Sequence, residues 1–214
     1  MGWTKRIAFC TASLVGCYAP PDTSERFEDS IVVTSRDETT DFGTFQTFFV
    51  RPEVRVLDEN QMDGLIETLP PQNANPLVNQ TTANLEARGY RAAATKEEAD
   101  LAVELVYLRA VFSDYYCYYW SDWYYWGYPG YYYYYPYSCS SAAWRSGMVV
   151  TNVIDLASAG PPVPTPSMTN EYLRGVWFSG VYGVESDTST VLTDRAVEGI
   201  DQAFDQSPYF TAIP

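Results

Sequence analysis

The residues of this chain that could do chemistry are mostly carboxylates. The 214 residues include 27 Asp and Glu, 13 Lys and Arg, and no His. Without His, the usual base for a Ser or Cys nucleophile is missing. A carboxylate pair could still hydrolyse a glycosidic bond. Asp100 and Asp155 fall in strand-like segments, and we interpret each as a strand-end residue or a satisfied hydrogen-bond acceptor.

Other motifs with chemical potential are weak. Lys96 sits in the charged segment 94–98, which is more typical of a solvated turn than of a Ser/Lys dyad. The acidic segment 58–64 resembles a calcium loop but has Met62 at a ligand position. No glycine-rich phosphate loop precedes a helix. We therefore predict a protein that is not an enzyme and that holds no cofactor and no metal.

Cys17 closes a short export signal. Lys5 and Arg6 precede an apolar run over 7–15, which is far shorter than the roughly 20 residues of a membrane span. The run Leu14-Val15-Gly16-Cys17 resembles the lipobox of bacterial lipoproteins. That resemblance implies cleavage before Cys17 and acyl chains, such as palmitate, on the new N-terminus. An ordinary signal peptide with a coincidental cysteine remains the alternative.

The net charge limits the possible partners of the protein, and the residue after Cys17 indicates its location. The net charge of −14 becomes more negative when Lys5 and Arg6 are removed, which excludes nucleic acid as a partner and disfavours anionic lipid head groups. In enterobacterial-type sorting, Asp after the lipidated Cys favours the inner membrane, whereas here Tyr18 follows. We expect a bacterial cell-envelope protein, lipid-anchored in the outer membrane and facing the periplasm.

Two cysteines remain after export. Cys117 and Cys139 form an even pair in a chain bound for an oxidising compartment, and we predict that they form a disulfide. A loop of about 23 residues would gain roughly 3 kcal/mol from this cross-link on the chain-entropy model.

Aromatic residues concentrate between these cysteines, in a predicted loop over 113–146. Gly127, Pro129, Gly130 and Pro136 should break any regular element. The loop could fold on itself, contact the membrane at head-group level, or bind an envelope protein or a glycan. The candidate binding surface comprises Tyr119, Trp120, Trp123, Tyr125, Trp126, Tyr128, Tyr132 and Tyr134.

The elements that must position these residues follow from periodicity. Strand-like segments occur at 31–34, 41–50, 100–112, 148–156 and 172–182, and 52–75 is predicted to be irregular. One helix should begin at Asn75-Pro76 and end at Gly89, and a second should run over 188–206 until Pro208. In the segment 100–112, Leu101, Val103, Leu105 and Tyr107 alternate toward one face, and Glu104 marks the other.

These elements predict an α+β fold. It comprises an antiparallel sheet of four to five strands with two amphipathic helices packed on one face, plus a long aromatic loop insertion. We divide the chain into a lipoprotein signal peptide (1–16), a lipid-anchored tether (17–30) and a single domain (31–214).

The lipobox, together with a set of motifs that covers most of 31–210, resembles a family of bacterial lipoproteins, the domain of unknown function 4136. After the lipobox, the motifs are the segments 41–48, 85–90, 99–103, 153–156 and 176–180, and a terminal helix running into Phe204 and Pro208. The family has no established activity, so the resemblance implies no catalytic residue. We expect a lipid-anchored envelope protein with a non-catalytic binding or scaffolding role. The alternative is an envelope glycan hydrolase that uses a carboxylate pair.

Overall fold

The computed structural model describes residues 31–57, 67–109, 132–134, 147–159, 172–185 and 191–212, with the backbone alone at 132–134 and Tyr172. These residues form two α-helices and one mixed sheet of nine strands. The strands are β1 (Ile31–Arg36), β2 (Thr47–Val50), β3 (Arg55–Leu57), β4 (Glu67–Thr68), β5 (Arg91–Ala92), β6 (Leu101–Leu108), β7 (Tyr132–Tyr134), β8 (Met148–Asp155) and β9 (Tyr172–Tyr182). The helices are α1 (Pro71–Ala87) and α2 (Thr193–Asp205).

The centre of the sheet is antiparallel. Its main path runs β1-β9-β8-β6-β2-β5, and β6, β8, β9 and β1 pair antiparallel along it. Every residue of β6 and β8 is buried, as expected for central strands. The strands predicted at 31–34, 148–156 and 172–182 are confirmed, the first extending to Arg36 and the second ending at Asp155. The strand predicted at 100–112 is confirmed over Leu101–Leu108, and 110–112 lie outside the described residues.

The prediction of a four- to five-stranded antiparallel sheet is wrong in strand number and in direction. β2 and β3 pair parallel with β6, and β5 pairs parallel with β2. The reason is α1, which lies between β2 and β6 in the chain. A crossover that contains a helix brings the next strand back in the same direction as the first, so the pairing is parallel.

The segment 52–75 is also more regular than predicted. It contains β3 and β4, and α1 begins at Pro71 rather than at Asn75. Proline suits the first helical position, and the chain offers that signal twice, at Pro71 and Pro76. The second proline lies inside the helix. The predicted end is confirmed, because Gly89 has the positive φ of 90° that suits a residue just past a helix.

The second predicted helix is shorter than 188–206. Val191 forms an isolated bridge with Glu185, and the helix begins after Leu192. Both helices pack on the same face of the sheet, where Leu77, Leu85, Ile200 and Phe204 share one core with the inward residues of β6. None of the described helices is long and apolar enough to cross a bilayer.

The residues after α2 complete this core. Trp177 is fully buried on β9, 5.0 Å from Phe204 and 5.2 Å from Phe210 between ring centres. Its indole Nε1–H donates to Ser207 Oγ at 3.0 Å. The backbone of Ala212 donates to the Arg88 carbonyl at the end of α1 at 3.0 Å. The C-terminal segment therefore ties β9 to both helices.

The opposite face of the sheet carries a buried ion cluster. Glu104 lies on that face, as its alternation in β6 predicts, but it is fully buried. Its Oε1 is 3.2 Å from Arg51 Nη1 and 3.0 Å from Arg55 Nε, and both arginines are more than nine-tenths buried. Next to this cluster on the same face, Val106, Leu108, Met148 and Val150 form a small apolar group.

Candidate binding site

One corner of the sheet brings together polar side chains from three distant segments. β1 ends at Arg36, opposite Trp177, and the next residue, Asp37, still donates its backbone N–H to the Val176 carbonyl at 3.0 Å. Arg174 lies near the start of β9, and its backbone partner in β8 is Asp155. The loop 37–45, the end of β8 and the start of β9 therefore meet at this corner.

Arg174 is held by the loop. Its Nε and Nη2 contact Asp37 Oδ2, and Nη2 also donates to Thr39 Oγ1. Burial alone would raise the pKa of Asp37. The hydrogen bonds from Thr39 and Arg174 and the charge of Arg174 outweigh that effect, so the pKa of Asp37 lies below its ordinary value of 3.8. The ion pair is therefore intact at neutral pH.

Hydrogen bonds also hold the rest of the loop 37–45 in place. Asp41 Oδ1 accepts from the backbone of Gly43 at 3.1 Å and caps a short 3-10 turn over Phe42–Thr44. The hydroxyl of Tyr90, just past α1, donates to the Phe42 carbonyl at 3.1 Å, and burial raises the pKa of this tyrosine. These contacts fix the loop against the end of α1.

The two carboxylates selected from the sequence are both hydrogen-bond acceptors, as predicted. Asp100 Oδ2 accepts from the backbone of Gln46 at 2.8 Å and of Thr47 at 2.9 Å, which joins the start of β2 to β6. Asp155 is 3% exposed and accepts from the backbone and the hydroxyl of Ser158, at 2.9 and 2.5 Å.

A cleft of about 260 Å³ opens at this corner. Its lining is mostly polar. One lining residue, Thr40, has a buried Oγ1 without a hydrogen-bond partner among the described residues. The side chain of Arg174 is 36% exposed, so part of its guanidinium faces solvent. The lining residues are Thr39, Thr40, Asp41, Thr44, Phe45, Asp155, Ala157, Ser158 and Arg174.

A strand from the aromatic segment pairs beside this cleft. The backbone of β7 pairs parallel with the start of β9, and Tyr134 is the register partner of Arg174. The prediction that Gly and Pro break any regular element in the segment is wrong over 132–134. The run of tyrosines there contains neither residue, and tyrosine suits an extended strand.

Most of the predicted site lies outside the described residues. This applies to Cys17, Cys117 and Cys139, and to the surface residues Tyr119, Trp120, Trp123, Tyr125, Trp126 and Tyr128. The structure pairs the backbone of Tyr132 and Tyr134 with the start of β9, opposite Tyr172 and Arg174. The disulfide and the lipidation stay predictions.

Arg174 and Asp37 are functional candidates that could not be selected from the sequence. They are 137 residues apart, so no local spacing relates them. A weaker signal was available, because Asp37 Oδ1 accepts from the backbone of Thr39 at 2.8 Å, the Asx-turn geometry that Asp followed by Thr two residues later favours. Among the described residues, no group of three or more His, Cys, Asp or Glu could hold a metal ion.

The family model of a domain of unknown function, DUF4136, matches residues 32–209. The chain belongs to the DUF4136 family. A DUF4136 family protein from Bacteroides thetaiotaomicron has a similar crystal structure, with a TM-score of 0.60 and 27% identity over 86% of this chain and 98% of that one. No curated protein matches the chain.

Two further solved structures are less similar to this DUF4136 chain. A PDZ domain protein from Parabacteroides distasonis has a TM-score of 0.44 and 16% identity, over 85% of this chain and 36% of that one. The PelC dodecamer from Paraburkholderia phytofirmans has a TM-score of 0.38 and 11% identity, over 86% of this chain and 99% of that one. Neither likeness says anything about what this chain does.

Proposed function

We propose that this DUF4136 protein is a non-catalytic binding protein of the bacterial cell envelope. The observation that carries the proposal is the pairing of β7 with β9, which sets a run of tyrosines next to the Arg174 cleft. Tyrosine offers a large, stiff contact area with a polar tip, and it is over-represented where proteins bind partners. The partner is an envelope protein or a glycan.

The rigid setting of the corner supports a binding role. Asp37 and Thr39 hold the Arg174 side chain in place. Hydrogen bonds to Tyr90 and Asp100 hold the loop that carries Asp37 and Thr39. Side chains held in place before a ligand arrives lose less entropy on binding. A surface of this kind suits recognition without a large conformational change.

The proposed location rests on the sequence. The lipobox-like segment ending in Cys17, followed by Tyr18, supports lipid anchoring in the outer membrane with the domain in the periplasm. Two or three acyl chains would hold it there stably. Radiolabelled palmitate should enter the wild-type chain and not the Cys17→Ser variant. Recovery of the wild-type chain in the soluble cell interior without a fatty acid would refute this part of the proposal.

Site-specific photo-crosslinking in living cells tests the binding role. A photoreactive residue at Tyr132 or Tyr134 should capture a discrete partner that mass spectrometry identifies. The matched control is Arg91, an exposed residue on β5 at the far edge of the sheet. Capture of nothing at 132 and 134, or of the same adducts from position 91, would contradict the proposal.

The alternative is a glycan hydrolase, and one observation favours it: Asp41 and Asp155 line the same cleft. Two observations weigh against it. Asp155 is almost fully buried, and both of its oxygens already accept hydrogen bonds from Ser158. Incubation with purified peptidoglycan should release no new reducing ends. Release that disappears in Asp155→Asn would favour the hydrolase.

A further inference from the structure

We infer that one side of the strand β1, on the face of the sheet opposite the helices, contacts the lipid head groups of the membrane that holds the anchor. This inference rests on the proposed anchoring through Cys17. It goes further, because it names the surface of the folded domain that meets the bilayer. The exposure of this side of β1, its lack of charge and its place in the chain each support it.

Two apolar side chains of β1 are exposed to solvent. Ile31 is 48% exposed and Val33 is 38% exposed, and no other large hydrophobic side chain among the described residues is exposed. Strand residues two apart share a face, and Val32, between them, packs against the helix-side core. Ile31 and Val33 therefore lie together on the opposite face. Apolar residues scattered singly over a surface need no explanation, whereas a contiguous patch marks an interaction site.

Aromatic residues of β9 extend this surface. Ile31 is the register partner of Tyr182, and Val33 is the register partner of Gly180, so Phe178 lies on the same face. A Cβ added at Gly180 would lie 3.3 Å from Val33 Cγ2 and 3.4 Å from Phe178 Cζ, so these two side chains meet over the glycine. Both aromatic side chains are only partly buried. We call Ile31, Val33, Phe178 and Tyr182 the β1 patch.

The β1 patch contains no Asp, Glu, Lys or Arg, although the chain has 27 acidic and 13 basic residues. Edge strands commonly carry charged side chains that keep other chains away. β1 is the terminal strand on the main path of the described sheet, yet none of its residues on this face is charged. An uncharged surface of aliphatic and aromatic side chains suits the interfacial region of a bilayer, where tyrosine is enriched. Neutral lipids also suit a strongly acidic chain, which anionic lipids would repel.

The chain leads from the anchor directly into the β1 patch. Only residues 18–30 separate Cys17 from Ile31, so the start of β1 can lie at most about 50 Å from the anchored residue. A short tether raises the effective concentration of the attached surface to the millimolar range, so a small patch of weak affinity is sufficient. Anchor and patch together would orient the domain, with the opposite edge strand β5 facing away from the bilayer.

Photo-crosslinking of the purified, lipidated protein in vesicles of phosphatidylethanolamine and phosphatidylcholine tests the inference. A diazirine-bearing residue at position 33 should form a phospholipid adduct on the tryptic peptide 27–36, which mass spectrometry detects. The matched control carries the same photoreactive residue in place of Arg91, which is exposed on β5 at the opposite edge of the sheet. The control should form no lipid adduct.

A second measurement tests the contribution of the two aliphatic side chains. Ser35 lies on the same face, where its register partner is Phe178, and a photoreactive residue there should also capture lipid. Replacing Ile31 and Val33 together with Ser should lower that capture by about fivefold or more, since the apolar area that the lipid covers is lost. Both side chains are exposed, so the double variant should keep its fold, which circular dichroism checks.

Four results would overturn the inference: no lipid adduct from position 33, equal lipid adducts from positions 33 and 91, an adduct of position 33 to a second copy of the chain in place of lipid, or unchanged capture from position 35 in the double variant. If palmitate labels the wild-type chain but position 33 captures no lipid, the proposed anchoring survives and only the membrane-facing surface is wrong. If palmitate does not label the chain, both fail.

Discussion

We expect loss of the buried Glu104 carboxylate to destabilise the fold strongly. The substitution Glu104→Gln removes the charge with little change in side-chain shape. The carboxylate is fully buried between Arg51 and Arg55, and its removal leaves two buried guanidinium groups without their shared counter-ion. Glu53 cannot replace it, since it is half exposed and approaches only Arg51, at 3.5 Å. Breaking a buried ion pair by removing one partner costs about 3–5 kcal/mol.

Urea unfolding followed by circular dichroism measures the effect. With a slope of about 2 kcal/mol per molar urea, the midpoint should fall by roughly 1.5–2.5 M. The matched control is Glu67→Gln, which breaks the exposed pair with Arg109 on the same sheet. Exposed pairs contribute about 1 kcal/mol or less, so the control midpoint should move by at most about 0.5 M.

Equal midpoints for the two variants would refute the reasoning, because burial would then have no effect on the cost of losing the carboxylate. A further variant separates charge from packing. Replacing Arg51, Glu104 and Arg55 together with Met, Leu and Met should restore stability to near the wild-type value, since apolar side chains of similar size often replace a buried ion cluster without loss.

Three more substitutions have defined outcomes. Gly199→Ala should destabilise by about 1–2 kcal/mol in thermal unfolding: the added Cβ would lie 2.2 Å from Val181 Cγ1, and overpacking outweighs the gain in helix propensity. That cost should vanish in a Val181→Ala background. Asp37→Asn should cost about 1 kcal/mol at neutral pH, because the Arg174 pair is partly exposed. Since the folded pKa of Asp37 is lowered, the wild-type advantage should be full above about pH 5 and should shrink as pH falls below 3.8; an advantage independent of pH would contradict this. Gly89→Ala should cost about 1–2 kcal/mol, because φ is 90° there; no loss would show that the turn relaxes.

The central strands could be predicted because burial on both faces leaves a plain signal. The runs that became β6, β8 and β9 are long and mostly apolar, β8 is rich in β-branched residues, and Gly89 is a strong stop signal. Strand direction could not be read in the same way. Parallel pairing of β2 and β3 with β6 depends on the path of the chain through α1, and no residue within those short strands encodes it.

The candidate site could likewise be predicted only in part. Asp155 and Asp100 could be interpreted as acceptors, since strand-end carboxylates commonly serve this purpose. The partnership of Arg174 with Asp37 could not be predicted, because it follows from the register between β1 and β9. The burial of Glu104 could not be predicted from the sequence for a similar reason. Its counter-ions, Arg51 and Arg55, come from a segment that looks polar and irregular when read alone.

The two anchor points of the aromatic insertion set a lower limit on its length. Leu108 and Met148 are paired at one end of the sheet, whereas Tyr134 is held beside Arg174, next to Asp155, at the other. The eight residues of β8 that separate these ends extend over about 26 Å, and β7 lies three strand spacings of about 4.8 Å from β6, so about nine extended residues are needed to cover the distance. More than twenty residues lie between Arg109 and Tyr132. Homologues can therefore lose roughly a dozen of them and still keep both attachments, whereas a deletion that includes 132–134 removes a strand from the sheet.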